Sequence, residues 1–478
     1  MLREANSCAL GWKGRRFESL APTSDSMTYT WPRSLKNLAS AGLAVLLGLV
    51  VFQFMLSLEP RIKMRLDAQR APLVVFVLID TLRRDHVGTL GYGRATTPHL
   101  NRLASEGFVA SGMLAHSSQT APSVASMFTS TAPHAHGVQF DPRTRRFGNK
   151  GRSKAPLLAE SNVTLAEVLS GEGYFTAAAI ANPWLRAEFG FAQGFDHYVV
   201  SPCHRNKGRI CDGAQINKAA SKVIREHSAE KTFLYLHYLD VHNPYAHAGK
   251  LPSVFRKGQG RVVYKNGPID EVSAEELAYS IDAYDDGVLY TDSLIGELVR
   301  ELEAAAAERN VLLVITSDHG DEFLEHGGLG HGTTLYPELI ETFTIFWRPE
   351  NRMMHPRDEH LSGTIDIAPT ILDLAGVRKP EQMAGRSLLG SSSRRAVIAE
   401  LAGNKAAIKK HWGLIRDLDT HQEEVVPYAG ARQPERTAEL VAELESLLDA
   451  VEVRATPVSS KAPDPAVVEQ LKALGYVE

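Results

Sequence analysis

The chain has 478 residues, of which 44% are apolar and 23% are charged, a composition typical of a folded globular protein and not of a disordered one. Its 52 basic and 56 acidic residues leave a net charge of −4, which excludes the strong basic field of a general nucleic-acid-binding protein. At about 100–200 residues per domain, this length fits one large domain and a smaller part.

The first distinctive element is an apolar stretch at residues 38–58 (LASAGLAVLLGLVVFQFMLSL), which contains no charged residue. About 20 apolar residues are needed to cross a bilayer as a helix. A cleavable signal peptide has an apolar region of about 7–15 residues, so this longer stretch favours an uncleaved anchor. The sequence therefore predicts a single-pass protein of the cell membrane, with a cytoplasmic tail at 1–37, a transmembrane helix at 38–58 and a linker at 59–71.

Lysine and arginine residues flank the apolar stretch on both sides, so they decide little about its orientation. Cysteine is more informative, because Cys203 and Cys211 lie close together after the stretch. Such a pair is typical of a disulfide in an oxidising compartment; two free thiols or a metal-binding pair are the alternatives. The disulfide interpretation places the following domain outside the cytoplasm, in the periplasm or the extracellular space.

From residue 72 onward, short apolar runs alternate with helical patterns. The runs predict strands at 73–79, 175–180, 233–239, 311–316 and 343–347. Helices are predicted from Thr164, with Glu167 completing a capping box, and over 275–308. This alternation predicts an α/β fold, a mostly parallel sheet sandwiched by helices. The main domain is expected to cover 72–400, with AVIAEL (396–401) completing its sheet, and 401–478 to form a C-terminal subdomain and tail.

Two of the predicted strands end in acidic residues. Asp80 follows the first strand, and Asp318 and His319 follow the strand at 311–316. Because ligands of open α/β sheets bind at the carboxyl ends of the strands, we expect these three side chains to meet at one edge. Two carboxylates and an imidazole suit a divalent cation such as zinc or manganese. The alternative, that each aspartate only caps the next helix, would better explain a single strand-end Asp.

A hydroxyl is predicted beside the start of a helix in the segment QTAPSVASMFTS (119–130). Pro122 suits the first turn of a helix, so Thr120 lies just before its N-terminus. Free N–H groups at such a position favour phosphate or sulfate. A nearby metal ion would turn the hydroxyl into a nucleophile, whereas a threonine that only caps the helix is the simpler alternative.

Three histidines lie in loops near the same predicted edge. His242 follows the strand at 233–239 in YLDVHNPY, and His326 and His331 lie in the glycine-rich segment EHGGLGHGTTLY. Such histidines can hold the anionic oxygens of a transition state or protonate a leaving group. A loop histidine taken alone is more often an ordinary surface residue.

Together these segments resemble the sulfatase family, within the alkaline phosphatase superfamily, from about residue 72 to 390. The motifs are IDTLRRDHVGTLGYGRATTPHLNRLASEG, TAPSVASMFTS followed by PHAHGV, YLDVHNPY, SDHGDEFLEHGGLGHG and TIDIAPTILDLAGV. LKALGYVE at the C-terminus resembles the tail of some members. The order and number of these motifs make the resemblance specific.

The resemblance implies a metal-dependent enzyme acting on a sulfate or phosphate ester, with zinc, manganese or calcium as the ion. It implies metal ligands at four positions, Asp80, Thr120, Asp318 and His319, and makes Thr120 the nucleophile. It gives His242 and His331 catalytic roles around the substrate anion and the leaving group, and makes His326 a substrate-binding residue.

The segment departs from the arylsulfatase pattern at the nucleophile. Arylsulfatases carry Cys or Ser in a C/S-x-P-S-R motif and convert it to formylglycine, whereas this chain has Thr120 and, in place of the arginine, Val124. Thr81 stands where calcium-dependent sulfatases have a second Asp. The pattern resembles threonine-dependent phosphodiesterases and phosphoethanolamine transferases, so a phosphoester is the preferred substrate. A sulfatase proper and an inactive membrane-bound binding protein are the alternatives.

Overall fold

The computed structural model describes residues 70–140, 155–200, 212–245, 253–263, 267–268, 271–349, 360–390, 396–431, 433, 436–452, 460–461 and 463–473. The predicted transmembrane segment at 38–58 and the pair Cys203 and Cys211 lie outside these residues. Among the residues that the structure describes, no helix combines the length and the apolar character that a membrane span requires.

An eight-stranded sheet forms the core of the described chain. Its strands lie in the order Ser362–Gly363 (β12), Phe108–Leu114 (β2), Glu341–Trp347 (β11), Asn310–Thr316 (β8), Pro72–Ile79 (β1), Thr232–Tyr238 (β6), Phe175–Ile180 (β4) and His197–Val200 (β5). Strand β11 runs antiparallel to both of its neighbours, and the other pairs are parallel. The prediction of a mostly parallel sheet is therefore confirmed. The ends of the predicted strands agree with the observed ones within one residue, except that β11 begins two residues earlier than predicted.

Helices cover both faces of this sheet. One face carries α1 (Pro98–Glu106), α5 (Gly213–Glu226) and α6 (Ala274–Ala305); the other carries α2 (Thr120–Thr129), α4 (Leu165–Gly171), α8 (Ile367–Leu374) and α10 (Pro465–Ala473). Alternate residues of β1 pack into the two cores, since Leu73 and Val75 face one and Val74 and Phe76 the other. Burial on both faces explains why the strand is continuously apolar and does not alternate with polar residues.

Local capping fixes where two of these helices begin. The Thr164 hydroxyl accepts from the backbone of Glu167, whose carboxylate accepts in turn from the Thr164 backbone, as the sequence predicts. Ser273 and Glu276 form the same arrangement at the start of α6. Short 3-10 helices follow several strand ends, at Arg84–His86, Gly88–Leu90, Pro183–Leu185, Ala187–Phe189 and Thr364–Asp366.

The C-terminal part of the chain forms its own antiparallel sheet. It consists of β13 (Val397–Leu401), β14 (Asn404–Lys409), β15 (Trp412–Asp417) and β16 (Glu423–Pro427), with α9 (Ala438–Glu452) packed on one face. The prediction that AVIAEL completes the main sheet is therefore wrong. A two-residue turn that ends in Gly403, at a positive φ of 89°, pairs β13 with β14 locally instead.

Smaller elements complete the fold. Two short helices, α3 (Pro133–His136) and α7 (Pro337–Ile340), lie near the edge of the main sheet at which its parallel strands end. A separate pair of short strands is formed by β3 (Ala155–Pro156) and β17 (Ser460–Lys461). A three-stranded sheet is formed by β7 (Gly267–Pro268), β10 (Gly328–Gly330) and β9 (Glu322–Phe323).

The buried His136 at the end of α3 makes stability depend on pH. Its Nδ1 accepts from the Val138 N–H at 3.0 Å, so Nε2 carries the proton and donates to Ser126 Oγ at 2.9 Å. Burial, together with the neighbouring His116 and His134, lowers the pKa of His136 to about 3. Below pH 6.5 this histidine is protonated in the unfolded chain but stays neutral in the folded chain. The free energy of unfolding therefore falls as pH falls below 6.5.

We expect the free energy of unfolding to fall, relative to that of His136→Gln, by up to about 1.4 kcal/mol per pH unit below pH 6.5. Glutamine is the matched control because its amide can accept and donate in the same places without titrating. Chemical denaturation at several pH values from neutral to about 4.5 measures the difference. Parallel curves for the two proteins would contradict this account of His136.

Candidate functional site

The carboxyl ends of three neighbouring strands bring four buried side chains together. Asp80 follows β1, Asp318 and His319 follow β8, and His237 lies near the end of β6. The register sets this meeting point, because Leu78 of β1 is paired with His237 on one side and with Thr316 on the other. All four side chains are 0% exposed.

Backbone and side-chain amides hold the two carboxylates in place. The N–H groups of Thr81 and His319 donate to Asp318 Oδ1 at 3.2 and 3.0 Å, and Asn182 Nδ2 donates to Asp80 Oδ2 at 2.8 Å. Thr81 has a positive φ of 59°, which turns its N–H toward Asp318, and the Tyr284 hydroxyl donates to the Thr81 carbonyl at 2.7 Å. These hydrogen bonds fix both carboxylates and use only one oxygen of each, Asp80 Oδ2 and Asp318 Oδ1.

The remaining donor atoms fit a divalent cation. Within the described part of the chain, Asp80 Oδ1, Asp318 Oδ2 and both ring nitrogens of His237 are buried without a hydrogen bond. Ligand atoms of these three residues all lie within 4.8 Å of one another. Buried polar atoms are rarely left unpaired, and two carboxylates with an imidazole are a donor set that zinc and manganese accept. This chemistry fits the metal that the sequence predicts.

The pKa shifts of the cluster residues also favour a bound cation. Burial, and then the charge of Asp318, raise the pKa of Asp80, and burial raises the pKa of Asp318. Keeping two charged carboxylates buried within 4.8 Å of each other costs free energy unless a cation lies between them. Burial also lowers the pKa of His237 to about 3 and, with the charge of His331, lowers the pKa of His319. Both imidazoles are therefore neutral near pH 7, which is the form that binds metal.

Thr120 lies beside this cluster as the first residue of α2, one position further into the helix than predicted, and Gln119 occupies the N-cap position without a side-chain capping bond. Its Oγ1 is 3.3 Å from His319 Nε2 and 3.4 Å from Asn182 Nδ2. Since His319 Nδ1 donates to the Gly320 carbonyl at 3.1 Å, it is the lone pair of Nε2 that faces the hydroxyl. The structure therefore brings the four predicted metal ligands, Asp80, Thr120, Asp318 and His319, into one cluster at a helix N-terminus.

His331 and His242 extend the cluster on one side. The His331 ring centroid lies 4.6 Å from that of His319 and 4.9 Å from that of His242. His331 Nδ1 donates to Asp321 Oδ1 at 2.6 Å, and His242 Nδ1 donates to the Asn243 carbonyl at 2.6 Å. Each bond fixes the tautomer of its imidazole, with the proton on Nδ1 and the lone pair on Nε2.

Asp321 is the residue that orients His331. Its other oxygen accepts from the Tyr245 hydroxyl at 2.7 Å. Burial alone would raise the pKa of Asp321, but the charge and hydrogen bond of His331 and the charge of His242 bring that pKa below its ordinary value. Asp321 is therefore ionised at neutral pH.

The structure does not bring His326 together with the other predicted residues. Its Nδ1 donates to Glu338 Oε1 at 2.7 Å, and its ring stacks on Tyr336 at a centroid distance of 3.5 Å. Its backbone N–H donates to Glu322. His326 thus belongs to a second group of polar side chains.

Three residues of the site were missed by sequence reasoning. His237 is the one strongly polar side chain in the predicted strand FLYLHYL, and that contrast was an available signal. Asn182 follows β4 by two residues, at the same edge as Asp80. Asp321 comes three residues after Asp318, and nothing in its spacing predicts a bond to His331.

Comparisons with known proteins identify the relatives of this chain. The sulfatase family model matches residues 72–377. The chain is 22% identical over 363 residues to a Delta 4,5-hexuronate-2-O-sulfatase of Bacteroides thetaiotaomicron, covering 67% of this chain and 72% of that protein. It is 24% identical over 319 residues to the phosphatidylethanolamine transferase Mcr-1 of Escherichia coli, covering 65% of this chain and only 55% of the transferase.

Among solved structures, the fold is similar to that of a phosphonate monoester hydrolase from Silicibacter pomeroyi. The TM-score is 0.60 at 16% sequence identity, over 82% of this chain and 99% of that one. At this identity the likeness establishes the fold alone.

Proposed function

Because this chain belongs to the sulfatase family of enzymes, we propose that it cleaves a phosphoester, or transfers its phosphoryl group, with Thr120 as the nucleophile. The observation that carries the proposal is the position of Thr120 Oγ1. It lies 3.3 Å from His319 Nε2, at the N-terminus of a ten-residue helix and beside two carboxylates with unpaired oxygens. Gln119, and not Thr120, occupies the N-cap position, so capping does not explain the place of this hydroxyl.

The residues that would hold the ion are Asp80, Thr120, His237, Asp318 and His319. A bound zinc or manganese ion would lower the pKa of the Thr120 hydroxyl and offset the negative charge of the ester. Asn182 Nδ2 donates to both Asp80 and Thr120, which holds the hydroxyl and the carboxylate in a fixed relation to each other.

The remaining residues supply the acid and the anion contacts. Thr120, its proton lost to solvent, attacks phosphorus as the P–O bond to the leaving group breaks. His331 Nε2–H donates a proton to the departing oxygen, with Asp321 stabilising the imidazolium that gives it. His242 and the N–H groups at the start of α2 hold the phosphoryl oxygens. The oxygen of water or of an acceptor alcohol then attacks phosphorus and gives its proton to His331 Nε2. The P–O bond to Thr120 breaks in this step, which restores the threonine side chain.

A sulfate ester is the second candidate substrate. It is favoured by the match to a protein named as a 2-O-sulfatase over 72% of that protein's length. The match to a phosphatidylethanolamine transferase supports the phosphoester. We prefer the phosphoester because a threonine oxygen on a metal ion suits attack at phosphorus without any further modification of the side chain.

The test is a panel of p-nitrophenyl sulfate, phosphate, phosphodiester and phosphonate esters assayed with wild type, Thr120→Ser and Thr120→Ala. We expect turnover of a phosphorus ester that falls by at least about 10³-fold in Thr120→Ala and survives in part in Thr120→Ser. Mass spectrometry of the acid-quenched enzyme is expected to find phosphate on the peptide that contains Thr120.

Two outcomes would overturn the proposal. Turnover of the sulfate ester alone would establish the sulfatase alternative. Full activity of Thr120→Ala on a phosphorus ester would remove Thr120 from the nucleophile position. Circular dichroism of each variant is the control that its fold is unchanged.

A further inference from the structure

A second group of metal-binding side chains lies apart from the cluster at Thr120. It consists of Glu322 on β9, His326 in the following turn and Glu338 on α7, and one ligand atom from each lies within 4.8 Å of the other two. The proposed reaction uses none of these three residues.

Two of the three side chains are already held in position. Glu322 is 1% exposed, and its Oε1 accepts from the backbone N–H groups of His326 and Gly328 at 2.9 and 2.7 Å. The Glu338 side chain is 8% exposed and accepts from His326 Nδ1. His326 is 35% exposed, so one side of the group is open to water. A binding site that is fixed on two sides and open on the third needs little rearrangement to take up an ion.

A further carboxylate lies close to the group. The Tyr336 ring stacks on His326, and its hydroxyl donates to Glu424 Oε2 at 2.6 Å. Arg83 is already paired with Glu325. Two largely buried carboxylates in one group favour a bound cation.

We propose that Glu322, His326 and Glu338 bind a second divalent ion of the zinc or manganese class, with water completing its coordination. Two carboxylate oxygens and an imidazole nitrogen form a donor set of the kind these ions accept. The ion would replace the proton that His326 Nδ1 donates to Glu338 Oε1, and this proton would be released to solvent. The open side at His326 provides room for the water ligands.

An ion bound to this group would also stabilise the neighbouring first site. Glu322 and His326 lie within the loop that begins at Asp321 and ends at His331, while Glu338 belongs to α7. That helix packs directly on the other cluster, since Gly320 N–H donates to the Leu339 carbonyl at 2.9 Å. A Cβ at Gly320 would lie 2.1 Å from the Glu338 carbonyl oxygen, so only glycine allows this approach. The ion would therefore fasten the loop that carries His331 to the segment that carries His319.

The test counts zinc on the full-length purified chain after chelation, reloading with zinc and dialysis, by elemental analysis. We expect wild type to retain one more zinc ion per chain than Glu338→Gln, and likewise one more than His326→Ala. Glu424→Gln is the matched control, because it removes a nearby carboxylate that is not one of the three ligands, and it is expected to retain as much zinc as wild type.

The same experiment with Asp318→Asn separates this site from the first one. Loss of one zinc ion in Asp318→Asn and of a different one in Glu338→Gln, with their combination losing both, is the expected result. Equal zinc in wild type, Glu338→Gln and His326→Ala would overturn the second site, whatever Asp318→Asn does. Should Glu338→Gln fail to fold, the more exposed His326→Ala decides, since zinc must then raise its melting temperature less than that of wild type.

Discussion

Asp318→Asn is expected to lose the bound divalent ion and at least about 10³-fold in kcat/KM. The amide keeps the size of the side chain and an oxygen that can accept from the N–H groups of Thr81 and His319. It removes the charge and the second oxygen, Oδ2, which has no hydrogen bond within the described chain. Elemental analysis of the purified protein and steady-state kinetics on the phosphorus ester measure the two losses.

The same variant is expected to be at least as stable as wild type when both are stripped of metal. Burial raises the pKa of Asp318 in the folded state, so the folded chain keeps a proton that the unfolded chain releases. The stability of the metal-free wild type therefore falls as pH rises above the ordinary carboxyl pKa, and the variant escapes this loss. We expect its advantage to widen from pH 5 to pH 8 in chemical denaturation. A metal-free Asp318→Asn that is less stable at pH 8 would show that the carboxylate serves the fold and not an ion.

The strands of the main sheet can be predicted because burial on both faces leaves a continuous apolar run. β1 and β4 are of this kind, and both are observed within one residue of the prediction. The C-terminal sheet could not be predicted in the same way. β13 looks like another strand of the main sheet, and only the two-residue turn before Asn404 directs it to a local partner.

Part of the candidate site follows from the sequence, because Asp80, Asp318 and His319 come directly after apolar strands. His237 does not, since it lies inside its strand. Its place at the edge depends on the register that pairs it with Leu78, and a single sequence does not contain that register. Asn182 and Asp321 act through hydrogen bonds to residues 102 and 10 positions away, and such partners are decided by the folded geometry.

The structure also divides histidines that the sequence presents as one set. His326 and His331 are five residues apart in a glycine-rich segment, yet they bond to different carboxylates, Glu338 and Asp321. His326 lies in the turn of the short hairpin of β9 and β10, whereas His331 directly follows β10, so the two side chains have different surroundings. Loop histidines can therefore be recognised from sequence as candidates, but their grouping requires the turn geometry.

Asp321→Asn is expected to lower kcat by about 10²-fold to 10⁴-fold with little change in bound metal. The carboxylate accepts from His331 Nδ1 at 2.6 Å, which both selects the tautomer and stabilises the protonated ring. An amide there can present an N–H to Nδ1, which reverses the tautomer, and it removes the negative charge beside the imidazole.

Tyr245→Phe is the matched control for this prediction. It removes the second hydrogen bond of Asp321, at 2.7 Å, and leaves the bond to His331 in place. The loss of one such bond is expected to lower kcat by less than about tenfold. If both variants lower kcat equally, then Asp321 only supports the loop, and the proton must reach the leaving group from a residue other than His331. A much larger loss in Asp321→Asn than in Tyr245→Phe would instead tie the acid to the His331 ring, because only Asp321→Asn changes the group that accepts from His331 Nδ1.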